Sequence, residues 1–218
     1  MSKIHIYCMP GLGANSKIFE YILLPRDTFE IHFLEWKIPY SFSESLQEYA
    51  LRISEDITHK KPILLGVSFG GILVQEIAKV LEIERIIIVS SIKSHQELPY
   101  RLKLFKITKV YKFFPSKIIE NIEDYTKYFM GDFLKKRAKI YERYLSVRDM
   151  KYMKWAIYNL LHWQQENPPK NLLHIHGNDD HIFPSKHINN YTLIDNGTHI
   201  MILLKAKEIS EIIIDNIT

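Results

Sequence analysis

The five residues Gly66-Val67-Ser68-Phe69-Gly70 restrict the fold of this chain more than any other stretch, because of what flanks them. Before them runs a wholly apolar segment, Ile63, Leu64 and Leu65; after them Ile72, Val74, Ile77, Ala78 and Leu81 repeat at helical spacing. A buried strand therefore turns directly into a helix. The glycines two residues before and after the serine mark places where a Cβ would strike a neighbouring strand or helix. Such a turn holds its central residue in a strained backbone conformation and lifts it out at the C-terminal edge of a sheet.

The same alternation of short β-branched runs with helical segments continues on both sides. Strands are expected at residues 4–9, 29–34, 63–66, 85–89, 172–176 and 191–194. Helices are expected at 16–24, at 43–59 with Ser43 as N-cap, and at 69–81. Strands alternating with helices imply βαβ units and a parallel sheet covered on both faces. After Ser90 and Ser91 the alternation stops for about eighty residues, and the pattern becomes helical and dense in aromatics, Phe129, Trp155 and Trp163 among them. Pro168-Pro169 ends that stretch. The expected organisation is a core of residues 1–91 and 168–218 with a helical cap inserted at 92–167. Trp155 and Phe129 are expected to face inward from that cap.

At 218 residues and 46% hydrophobic content, the chain is long enough for one domain with a substantial core. The single cysteine, Cys8, lies in the apolar opening run, so an internal disulfide is impossible. That residue is expected to pack the core, and a reducing, cytoplasmic compartment fits it. No run approaches the roughly 18 apolar residues of a membrane span. The net charge of +4 is unevenly spread: residues 93–154 hold sixteen Lys and Arg against seven Asp and Glu. A basic segment can meet an anionic ligand, a membrane surface or nucleic acid. Basic residues interleaved with apolar ones more often mark the solvated faces of amphipathic helices, and no nucleic-acid partner is expected.

A serine hydroxyl is a poor nucleophile at neutral pH and needs a base to take its proton and an acid to orient that base. The last third of the chain supplies both. The strand at 172–176 runs into Gly177-Asn178-Asp179-Asp180-His181, which places two carboxylates in the following loop, and Asn196-Gly197-Thr198-His199 places an imidazole after the next strand. Serine, carboxylate and histidine thus gather on one edge of the sheet.

In these motifs the chain resembles the α/β-hydrolase superfamily, as a compact carboxylesterase-like member with a helical cap. The resemblance implies a mostly parallel, doubly wound sheet of about six strands, without the first two strands of larger members. His176-Gly177-x-x-Asp180-x-x-x-Pro184 looks like the family's acid loop, which favours Asp180 over Asp179, and Asn196-Gly197-Thr198-His199 looks like its Gly-x-His segment. Pro10-Gly11-Leu12-Gly13 resembles the loop that supplies one oxyanion-hole N–H, although many relatives carry His-Gly where this chain has Pro10-Gly11. By resemblance the catalytic residues are Ser68, Asp180 and His199, with the backbone N–H groups of Leu12 and Phe69 as oxyanion hole. The implied activity is cleavage of a small-molecule ester or thioester with no cofactor. Two other classes compete. One is a catalytically silent binding protein on the same scaffold. The other is a metal-dependent hydrolase using His174, His176, Asp180 and His181, whose spacing matches the H-x-H-x-D-H cluster of such enzymes imperfectly.

Overall fold

The computed structural model describes residues 3–108 and 143–217. Six strands are present among them: β1 (Ile4–Met9), β2 (Phe29–Phe33), β3 (Ile63–Val67), β4 (Arg85–Val89), β5 (Leu172–Gly177) and β6 (Thr192–Ile194). They form one sheet in the order β2-β1-β3-β4-β5-β6, and every neighbouring pair is parallel. Each strand begins and ends within two residues of its expected position. The sequence signal is strongest for the central strands β3 and β4, which are buried on both faces and read as near-continuous apolar runs, whereas the edge strands β2 and β6 are partly exposed.

Alternation along each strand divides the core in two. Tyr7, Met9, Leu64, Ile86 and Ile88 face one side, where helices α1 (Leu46–Ser54), α2 (Phe69–Ile77) and α4 (Met150–His162) cover them. Ile6, Cys8, Leu65, Val67, Ile87 and Ile175 face the other, under a 3₁₀ turn at Ser16–Phe19 and helices α5 (Met201–Leu204) and α6 (Ala206–Ile217). Burial pushes the Cys8 thiol well above its ordinary pKa, so it stays protonated and acts as a small apolar side chain.

All three helices differ from expectation, and α2 ends at Ile77 and not at 81. The segment expected at 16–24 makes only the 3₁₀ turn, because the Leu23 N–H donates to Ser210 Oγ and Pro25 blocks further helix. The helix expected from Ser43 starts later, because Ser45 forms a reciprocal capping box with Glu48 while the Ser43 hydroxyl meets Ser41.

Helix α3 (Tyr100–Thr108) and α4 fall within the segment expected as a cap, whereas residues 109–142, with Phe129, lie outside the described residues. Trp155 is buried in the core. Its ring lies 4.3 Å from Tyr49 and edge-on to Phe69, and its indole N–H donates to the Glu44 carbonyl at 2.7 Å. Trp155→Ala should therefore lower stability by about 3–5 kcal/mol, read as a shifted urea midpoint. An unchanged midpoint would show that α4 is not a structural part of this core.

Candidate active site

The sheet reverses its direction of growth between β1 and β3: the chain lays β2 on one side of β1, then returns to add β3 to β6 on the other. In open parallel sheets the C-terminal strand ends at such a reversal are the usual place for a site. The loops leaving β1 and β3 both carry candidate residues. Ser68 links β3 to α2 at φ 53° and ψ −121°, a conformation that non-glycine residues rarely adopt. The turn is pinned from several sides. The Ser68 N–H donates to the Val89 carbonyl, and the Ser68 carbonyl accepts from the Gly71 N–H and, at 2.7 Å, from the Ser91 hydroxyl.

Close approach explains the flanking glycines. A Cβ on Gly66 would sit 2.4 Å from the Gly70 carbonyl oxygen, and one on Gly70 would sit 2.3 Å from that of Pro10. Helix α2 thus lies directly on β3 and on the loop after β1.

His199 follows β6, in the turn closed by the Met201 N–H on the Thr198 carbonyl. Its Nε2 is 2.9 Å from Ser68 Oγ, and its Nδ1 is 2.9 Å from Asp180 Oδ2. Asp180 is buried, and its other oxygen accepts the Ile182 and Phe183 backbone N–H groups at 2.8 and 2.9 Å. Burial alone would raise the Asp180 pKa, but the facing His199 and these hydrogen bonds outweigh it and hold the carboxyl below its usual range. An ionised Asp180 accepts from His199 Nδ1–H, which leaves the Nε2 lone pair to accept the Ser68 hydroxyl proton. Asp179 is exposed and turned toward His181, with 3.3 Å between them. The structure therefore joins Ser68, His199 and Asp180 and leaves Asp179 outside.

The other sequence-derived residues fall as follows. Phe69 opens α2, where a backbone N–H has no intrahelical partner. Leu12 sits in a tight turn closed by the Ala14 N–H on the Gly11 carbonyl, with Gly13 at φ 74°. A Cβ on Gly11 would lie 3.4 Å from Ser68 Cβ, so this turn runs alongside the serine. The proposed metal ligands do not converge. His176 Nε2 donates to the Phe183 carbonyl, Asp180 is engaged by His199, and His181 is 84% exposed at its side chain.

Several contributors escaped sequence reasoning. The Trp36 indole donates to the Gly11 carbonyl at 2.8 Å, and the Tyr152 hydroxyl on α4 accepts the Gly13 N–H at 3.2 Å. Residues 143–147 strap the same loop: Asn15 donates to the Arg143 carbonyl and to Ser146, and the Val147 N–H donates to the Gly13 carbonyl. Asn178 ties the loop after β5 to the loop after β6, donating to Asp195 and accepting from the Asn196 N–H. An asparagine between two turn-rich segments is a faint signal for such a bridge. No local signal reveals Tyr152, which lies 139 residues from its partner.

No protein-family profile matches the chain, and no curated protein matches it in sequence. Solved structures do. A bromoperoxidase from Bacillus anthracis superposes with a TM-score of 0.70 at 17% identity, over 98% of this chain and 91% of its own. A thermophilic esterase from Thermogutta terrifontis gives 0.63 at 16%, over 98% and 89%. An enol-lactonase from Burkholderia xenovorans gives 0.64 at 14%, over 99% and 91%. The chain has the α/β-hydrolase fold. The Ser68 turn joins β3 to α2, and the loops after β5 and β6 carry Asp180 and His199.

The elbow yields a contrast between two glycines. Gly66→Ala places a Cβ against backbone that cannot yield without separating α2 from β3, and should cost more than about 3 kcal/mol in a denaturant melt. Gly11→Ala meets only ordinary contacts and should stay within about 1 kcal/mol of the parent. Equal melts for the two would mean that this packing is looser than described.

Proposed function

We propose that the chain is a serine hydrolase that cleaves a small-molecule ester or thioester through an acyl-enzyme on Ser68. The observation that carries this reading is the relay of two 2.9 Å hydrogen bonds from Ser68 through His199 to a buried, ionised Asp180. A binding scaffold has no physical need for a strained serine aimed at an oriented imidazole. The esterase and the enol-lactonase that share the fold lend support.

In this mechanism Ser68 Oγ attacks the substrate carbonyl carbon as its proton passes to His199 Nε2. Asp180 fixes the tautomer and stabilises the imidazolium. Negative charge gathers on the carbonyl oxygen, where the Leu12 and Phe69 N–H groups donate to it. Collapse breaks the bond to the alcohol or thiol, which leaves with the proton from Nε2. A water molecule then repeats the sequence, giving its proton to Nε2 as its oxygen adds to the acyl carbon, and Ser68 is released with that proton. Trp36 and Tyr152 act as positioning residues, because each holds the loop that carries Leu12.

Segment 92–167 serves in this reading as the cap that selects the acyl group. Its described ends flank the relay: Arg101 on α3 donates to the His181 and Ile182 carbonyls beside Asp180, and residues 143–152 hold the loop after β1.

The test is labelling with a fluorophosphonate, together with a screen of acyl esters and thioesters of graded chain length. Wild type should label at one serine and Ser68→Ala should not, with hydrolysis falling by several powers of ten. Failure of wild type to label or to turn over any substrate would favour a silent binding protein.

The two neighbouring carboxylates separate the roles further. Asp180→Asn should lower kcat about ten-thousand-fold while the protein stays folded, and Asp179→Asn should stay near wild type. The reverse pattern would move the acid's role to Asp179.

A further inference from the structure

At the opposite end of β1 from Ser68, three histidines from three separate segments meet. His5 lies on β1, His32 on β2 and His59 in the loop between α1 and β3, and each is half-buried. The parallel register sets His5 opposite Glu30 and Tyr7 opposite His32, so all four side chains share one face of the sheet. His5 Nδ1 lies 3.0 Å from His32 Nε2. The His59 ring stacks on His5 with centroids 3.6 Å apart and stands 4.8 Å from His32. One nitrogen from each ring falls within a set whose members are all within 4.8 Å of one another. Glu30 carboxylate oxygens lie 4.0 Å from both His5 Nδ1 and His32 Nε2.

We propose that His5, His32 and His59, with Glu30 as fourth ligand, bind a divalent zinc-class cation that ties the edge strand β2 to β1 and to the loop before β3. Zinc takes nitrogen ligands at about 2.0–2.1 Å in tetrahedral geometry, which sets its donors roughly 3.3 Å apart. The nitrogen atoms lie near that spacing already, and the stacked His5 and His59 rings turn apart to aim both lone pairs at one ion. Three imidazoles and a carboxylate suit zinc, cobalt, nickel or copper, whereas calcium and magnesium prefer oxygen donors.

A second observation supports the assignment. The buried Tyr7 hydroxyl is 2.7 Å from His59 Nδ1 and is fixed in turn by the Thr58 backbone N–H and hydroxyl. His59 Nδ1–H can donate to Tyr7 while Nε2 turns to the ion, the arrangement by which a partner on the far nitrogen orients a metal-bound histidine. Met9, the last residue of β1, is four residues beyond His5, roughly 13 Å along the strand. The ion therefore acts on the sheet edge and not on the relay, and nothing in the ester chemistry depends on it.

The test uses the full chain without a histidine tag, stripped of metal and titrated with Zn²⁺ by calorimetry. One equivalent should bind at micromolar free metal, and saturation should raise the Tm by roughly 5–10 °C. His32→Gln and His59→Gln, checked for folding by circular dichroism, should each abolish the binding and the Tm rise. Tyr7→Phe should weaken binding about 10- to 100-fold. His181→Gln, which removes an exposed imidazole outside the cluster, should bind as wild type does. Substitution with Co²⁺ should give the visible absorption of a tetrahedral site. No binding by wild type, or equal binding by wild type and both histidine variants, would overturn the proposal.

Discussion

The contact on which the rest of the site depends is the one between three backbone segments around Ser68. The end of β3, the start of α2 and the loop after β1 approach so closely that Gly66 and Gly70 have no room for a side chain. That proximity has three effects at once. It holds Ser68 at a positive φ, it starts α2 directly after Ser68, and it lays the Gly11 turn beside the serine. Strain of this kind costs on the order of 1–3 kcal/mol and persists only where surrounding structure over-determines it. Here the Val89 carbonyl, the Ser91 hydroxyl and the Gly71 N–H supply the constraint.

Around that contact Asp180 and His199 are held with uneven rigidity. Asp180 is buried and hydrogen-bonded by backbone on one oxygen, so only the other is left for His199. The His199 ring rests edge-on against Phe183, the residue whose N–H also holds Asp180. One short loop therefore fixes the carboxylate and steadies the imidazole. His176 donates to the carbonyl of that same Phe183, and burial lowers the His176 pKa.

Much of this was legible in the sequence, and the limits have physical causes. The central strands β3 and β4 were readable because doubly buried strands are apolar on nearly every residue, and the elbow was readable because steric exclusion forces glycine at fixed offsets from the serine. The choice of Asp180 came from a family resemblance. The geometric reason for it, an adjacent Asp179 that faces solvent and His181, is invisible to spacing. Helix starts were misjudged where two serines compete: Ser45 wins over Ser43 because Glu48 stands three residues on. The support from Trp36 and Tyr152 could not be read at all, since each reaches the loop after β1 from a remote segment. The His5, His32 and His59 cluster was equally hidden, because parallel register brings together residues that are 27 positions apart in the chain.

The separation of the relay residues along the chain has a consequence for how the molecule is made. Ser68 and His199 are 131 residues apart, and they meet only after β5 and β6 have been added to the growing sheet. Closing such loops costs entropy before any contact repays it, and parallel strands cannot pair until a crossover has formed. Helices α1 and α2 and the first strands can assemble while β5 and β6 are still unplaced. A refolding chain would thus regain far-ultraviolet ellipticity well ahead of its serine–histidine contact, and a partly assembled sheet would resemble the native protein by circular dichroism yet hold an unpaired serine.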